Sequence, residues 1–198
     1  MKGPHVLSFA LDPDLQEPFR RSARYAVEVI GDVLGLQVVE TEESNGVDLY
    51  YGNDPSRIAA ARLSIAREAP HVWLDAEPRR VDIDGLPVLS CGTPPSSLVG
   101  NGGRRILVDL PMAIFRLLSG WDESSVSERD RHGRVPGRAS LPGRLGLIDI
   151  PVVNRYIDFL RQRLDATGRR FPAVERWPHG KRYAVGLSHD VDRPQKYD

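Results

Sequence analysis

The feature that most limits how this chain can fold is the apolar run Tyr183-Ala184-Val185-Gly186-Leu187, closed at once by Ser188-His189-Asp190-Val191-Asp192. The run is short, has no helical period and follows the breakers Pro178 and Gly180, so it reads as a buried strand. In α/β folds, groups at the carboxyl ends of parallel strands point into the site crevice. Two carboxylates in an Asp-x-Asp spacing there can share one divalent cation, or divide into a metal ligand and a base. The sequence ends soon afterwards, at Asp198, and most of the site that this strand opens is expected to lie outside it.

The remaining elements alternate. Val6 to Ala10 reads as a short strand. Asp14 and Glu17 match a capping box ahead of Phe19, Ala23, Val27, Ile30 and Leu34, which recur at helical spacing until Gly35 stops them. Strands are expected over Leu36 to Glu40 and Val47 to Tyr51, separated by the turn formers Glu43 to Gly46. Residues 56–69 read two ways: their alanines favour helix, while Arg62-Leu63-Ser64-Ile65 alternates as a strand does, and the strand is preferred there. Val81 to Leu89 predicts a hairpin turning at Asp84-Gly85, because Asp-Gly supplies the positive φ angles of a type I′ turn. Pro87 cannot donate to a ladder, which places its strand at an edge or a bulge. Residues 92–104 read as an exposed loop; Gly100, Gly102 and Gly103 lack the Lys-Ser/Thr and the feeding strand of a phosphate loop. Asp109-Leu110-Pro111 opens a helix with apolar Ile114, Leu117 and Leu118. Charged, Gly/Pro-punctuated residues 121–149 follow, and Pro151 starts a second strong helix that Gly168 closes.

At 198 residues the chain suits one domain or two small ones. The expected division is a mixed α/β domain over 1–170, then a linker and the first strand of an incomplete (β/α) barrel over 171–198. Basic and acidic residues balance at 27 each, which argues against nucleic acid or an anionic membrane as the main partner. The single cysteine, Cys91, excludes an internal disulfide framework and reads as a buried, inert thiol. The N-terminus lacks an apolar signal region and no stretch reaches membrane-spanning length, so a cytoplasmic location without a membrane segment is expected.

Several stretches together carry a family resemblance. They are Asp109-Leu110-Pro111 with its helix ending in Trp121-Asp122-Glu123; Asp130-Arg131-His132-Gly133-Arg134-Val135-Pro136 with Ser140-Leu141 and Gly146-Leu147; Pro151-Val152-Val153-Asn154; and Ser188-His189-Asp190-Val191-Asp192. In this combination the chain resembles bacterial polysaccharide-deacetylase-like proteins of the chitooligosaccharide-deacetylase type, in which an uncharacterised α/β domain precedes the catalytic barrel. The resemblance implies a metal-dependent hydrolase acting on N-acetylated polysaccharide or glycan. It implies Asp190 as the general base and Asp192 as a ligand of a divalent metal, zinc in the expected case, with His189 beside them. The family completes its site with a His-x-x-x-His pair. His5, His71, His132, His179 and His189 include no pair at that spacing, so residues 1–198 alone are expected to be inactive.

Other readings stand beside this one. Asp-x-Asp after a strand also occurs in phosphatases that use the first Asp as nucleophile and in some glycosyltransferases, and two Asp residues can simply cap a strand end before Pro194. A non-catalytic module that binds a glycan or a partner protein is the alternative from another class. Asp130-x-His132 is read as turn chemistry rather than as a metal pair. Trp73, Trp121 and Trp177 look exposed from their context; stacking on sugars competes with core packing as their role.

Overall fold

The computed structural model describes residues 5–43, 45–171, 181 and 183–188. The chain opens as strand–helix–strand: β1 (Val6–Leu11), α1 (Phe19–Leu34) and β2 (Gln37–Glu40). It continues through β3 (Leu49–Tyr51), α2 (Pro55–Ala60), β4 (Leu63–Ile65), α3 (Pro70–Asp75) and the hairpin β5 (Arg79–Ile83)–β6 (Leu86–Ser90). Next come β7 (Val99–Gly100), β8 (Arg105–Ile106), α4 (Leu110–Leu118), α5 (Leu141–Arg144) and α6 (Val152–Ala166). The larger sheet has six strands in the order β2-β1-β3-β4-β8-β7. Neighbours from β2 to β8 are parallel, and β7 lies antiparallel at the edge. The chain is thus a mixed α/β fold, as its alternation of elements implies.

The two faces of the sheet are covered unequally. Leu7, Phe9, Leu11, Leu49, Tyr51, Leu63 and Ile65 share one core with α1, α4, α6 and the hairpin. That side follows from the period-2 alternation of each strand meeting the 3.6-residue stripe Ala23, Val27, Ile30, Leu34 of α1. On the other face Ala10, Tyr50, Val47 and Ala61 form a small second cluster, with Ile58 of α2 packed against it. The hairpin is a separate two-stranded sheet, so both its strands are edges. Pro87 therefore stands opposite Asp82 without a missing central ladder bond. Its turn has Asp84 at φ 51° and Gly85 at φ 79°, as Asp-Gly predicts. The buried Leu89 amide donates to Tyr156 Oη at 2.9 Å, which ties the hairpin to α6.

Several expectations are corrected. The capping box at Asp14 does not form: α1 starts at Phe19 with Pro18 in the capping position and no side-chain cap. The residue before a proline is driven away from helical ψ, which delays the helix past Glu17. The 92–104 loop contains β7 and a 3-10 turn over Asn101–Gly103. β8 and α3, for which the sequence carried no clear pattern, are present; both are too short to display a period. In 56–69 both readings hold, helix to Ala60 and strand from Leu63. Trp73 is 2% exposed and belongs to the core, whereas Trp121 is 43% exposed; Trp177 lies outside the described residues.

The strand expected over Tyr183 to Leu187 is not formed. Residues 183–188 join neither sheet, and a strand needs a neighbouring strand to satisfy its amides and carbonyls, which the described residues do not supply there. Tyr183, Val185 and Leu187 are 75, 72 and 90% exposed. Before them, Phe171 is the last core residue among those described. Arg169 donates through Nη2 to Val6 O at 3.0 Å, where β1 begins. No helix among the described residues is long and apolar enough to cross a membrane.

Candidate functional site

The strand order leaves β1 between β2 and β3, so the chain reverses its direction of growth between β1 and β3. In open α/β sheets a ligand crevice lies at the carboxyl ends of the strands near that point. Here the crevice is filled by the protein itself. Asp12, buried at the end of β1, accepts from the Asn53 amide at 3.2 Å and from Arg67 Nη2 at 3.3 Å. Asn53 Oδ1 accepts from Arg105 Nη2 at 2.9 Å, and Asn53 Nδ2 donates to Arg67 O at 2.6 Å. Gly52 is the necessary residue between them, since a Cβ there would stand 2.2 Å from Tyr50 Oη and 2.8 Å from Asp12 Cβ. Asp12 is paired with Arg67, and Arg105 is held by the neutral acceptors Asn53 Oδ1 and Gly52 O.

One step along the sheet, at the ends of β4 and β8, the arrangement differs. Asp109 caps α4 through Oδ1, which accepts the Met112 amide at 3.2 Å. It also accepts from Tyr51 Oη at 2.9 Å, the Glu68 amide at 3.0 Å and Trp73 Nε1 at 3.0 Å. All four are neutral donors, and among the described residues Asp109 has no ion pair. Burial pushes its carboxyl up to about 6, against the pull of those hydrogen bonds. It pushes the buried Tyr51 hydroxyl upward as well, with the Asp109 charge adding to the effect.

Glu68 is the second acid of this site. Burial, with the neighbouring Asp109 charge, raises its carboxyl to about 7, opposed by the Gly92 backbone amide. Its Oε2 is buried and finds no hydrogen-bond partner among the described residues. Both acids line a cavity of about 180 Å³ between the ends of β4 and β8 and the segment that follows β6, with Val88, Ser90, Thr93 and Leu107 among its walls.

Another buried carboxylate, Asp122, lies beyond the end of α4. Arg116 clamps it with two donors, Nε at 2.6 Å and Nη2, while Arg116 Nη1 donates to Trp73 O at 2.7 Å. This pair holds the end of α4 and the segment after it to α3. Cys91 is buried, and desolvation pushes its thiol up to about 12, which suits the inert role expected of it. Asp130 behaves as turn chemistry: Oδ1 accepts the His132 and Arg134 amides at 2.8 and 3.0 Å.

Asp190, Asp192 and His189 lie outside the described residues. No group of three His, Cys, Asp or Glu side chains among the described residues is placed to hold a metal ion. The acids brought together are instead Glu68 and Asp109. In the sequence Asp109 stands out only as a helix start, and Glu68 does not stand out at all. The capping signal was legible; the three partners of Asp109 from distant segments were not.

A family model described as a family of unknown function, DUF7033, matches residues 16–169. No curated protein and no solved structure matches the chain.

Proposed function

The chain belongs to the family of unknown function DUF7033, and we propose that its α/β unit is an accessory domain attached to a metal-dependent, polysaccharide-deacetylase-like hydrolase acting on N-acetylated glycans. The observation that carries this reading is the segment after the family unit. Tyr183 to Leu187 is apolar throughout, and Tyr183, Val185 and Leu187 are left exposed by the unit that precedes them. A short, continuous apolar run bounded by breakers is the pattern of a strand buried in a core, so in this reading the segment belongs with a second core, and its Asp-x-Asp end belongs to that core's site.

In this reading Asp192 is a protein ligand of the cation, zinc by preference, and two histidines from elsewhere in the barrel complete the set. When bound, the cation lowers the pKa of a water toward neutrality. Asp190, not a ligand, accepts the proton at a carboxylate oxygen, and His189 orients the pair. No group of three His, Cys, Asp or Glu among the described residues of the α/β unit is placed to hold a metal ion; in this reading the unit contributes a folded surface that binds the glycan or a partner. The phosphatase reading is weaker, because Arg193-Pro194 follows Asp192 where that pattern has Thr or Val.

In a protein that includes the barrel, Asp192→Ala is expected to lose metal and activity together. Asp190→Asn keeps the volume of the side chain but not its basicity, and is expected to retain metal while acetate release falls about a hundredfold or more. Metal content by mass spectrometry, read beside acetate release, checks both. The reverse pattern exchanges the two roles. If neither substitution changes metal or rate, the aspartates only cap a strand and the reading fails.

A further inference from the structure

We propose that the groove between α6 and the tip of the hairpin binds a neutral oligosaccharide, with one sugar ring stacked on Phe159. The inference deepens the accessory-domain reading and rests on it for the choice of glycan. Arg155, Asp158, Phe159, Gln162 and Arg163 line one wall. Their spacing of i, i+3, i+4, i+7 and i+8 is a single helix face. α6 thus turns Tyr156, Ile157, Leu160 and Leu164 to the core and a second stripe, polar around one aromatic ring, to the groove. The opposite wall is the turn Asp84-Gly85 with Leu98 and Val99. Both walls are fixed by hydrogen bonds: Tyr156 Oη accepts the Leu89 amide at 2.9 Å, and Asp84 Oδ2 accepts the Leu98 amide at 2.9 Å. The enclosed volume is about 500 Å³, within the roughly 300–1,000 Å³ of small-ligand clefts.

The kind of ligand follows from the lining. Among the described residues the side chains of Arg155, Asp158, Gln162 and Arg163 make no hydrogen bond and no ion pair, so their donors and acceptors are open to a ligand. Arg155 and Arg163 stand eight residues apart, about 12 Å along the helix axis, with Phe159 midway between them. The Arg163 head lies over Gly103, where a Cβ would stand 3.3 Å from Nη1. Two arginines and the two aspartates Asp84 and Asp158 share the same lining. Their charges cancel, which favours neither a polyanion nor a cation. An apolar ligand would strip water from these groups and leave them unpaired. A ring rich in hydroxyls has neither defect. Its O–H groups donate to the carboxylates, its oxygens accept from the guanidiniums, and the Gln162 amide serves both. Its C–H face covers the half-buried ring of Phe159.

The 198-residue chain is titrated by calorimetry with N-acetylated chitotetraose, with cellotetraose and with inorganic pyrophosphate. At least one sugar is expected to bind with a Kd of about 1 mM or tighter, and the tighter of the two identifies the source of the ring. Pyrophosphate should bind about tenfold or more weakly than that sugar. Phe159→Ala should weaken the sugar about tenfold or more with the melting transition retained. Phe159 packs in part against the core. The joint substitution Arg155→Ala and Asp158→Ala, at two exposed positions, should weaken the sugar to a similar extent and decides the matter if Phe159→Ala does not fold. The absence of sugar binding at about 10 mM overturns the proposal. So does pyrophosphate that binds as tightly as either sugar, or sugar affinity that survives the folded substitutions. None of these results touches the metal content or acetate release of a protein that includes the barrel, so the groove and the hydrolase reading fail separately.

Discussion

Asp109 and Asp122 are both buried aspartates, at opposite ends of α4, and the protein treats them in opposite ways. Asp122 is neutralised by Arg116, whose planar fork meets the carboxylate with two donors. Asp109 is held only by neutral N–H and O–H groups, and Glu68 beside it adds a second acid rather than a countercharge. The first arrangement is electrically closed and locks α4 to α3. The second retains charge next to a cavity. Burial alone therefore does not decide how an acid is held; the presence or absence of a cationic partner does.

The sharpest way to break this contrast is Arg116→Ala. It leaves the buried Asp122 with only the more distant Arg144, at 3.9 Å, and orphans the Trp73 carbonyl, so it should cost about 3 kcal/mol, measured by urea unfolding. A loss below about 1 kcal/mol would mean that Asp122 reaches water easily and that the two sites are not opposites.

A second effect concerns pH. Asp109 and Glu68 have folded-state values raised above the ordinary carboxylate range, to about 6 and about 7. Such groups bind protons more tightly when folded. Their contribution is complete below about pH 4, where the unfolded acids are also protonated, and is lost as pH rises through 6 and 7. Stability should thus fall by roughly 2–4 kcal/mol between pH 5 and 8, the lower figure allowing for solvent screening of the part-exposed Glu68, read as a drop in melting temperature. Glu68→Gln should flatten the part of that slope near pH 7. Glu40, where burial is outweighed by the hydrogen bonds and charges of Arg24 and Arg20, titrates below its ordinary value and acts outside this window. A melting temperature that rises from pH 5 to 8, or a slope that Glu68→Gln leaves unchanged, contradicts the picture of uncompensated acids.

The smallest effect falls on the hairpin that walls the cavity. A Cβ at Gly85 would meet nothing within 4 Å, so Gly85→Val tests the positive φ by itself and should cost roughly 1 kcal/mol or more. Chemical denaturation gives the value. A neutral result would show that the turn relaxes to another type without disturbing Val88 and Ser90.

The sequence by itself determined what local chemistry decides. The stripe of α1, the Pro-started α6, the Asp-Gly turn and the cap that Asp109 places on α4 each rest on residues within a few positions of one another, and each is present. Turn φ angles, caps and periodicity act over that range, so one stretch of chain suffices to read them. Proline at position 18 showed the limit even there, by overriding the capping box at Asp14. The site beside Asp109 was decided only by the tertiary structure. Tyr51, Glu68 and Trp73 come from separate segments, brought together by a parallel sheet order that no single stretch encodes. The raised pKa values of Glu68 and Asp109 follow from that meeting, because desolvation and the field of a neighbouring charge exist only once distant parts of the chain have packed around them.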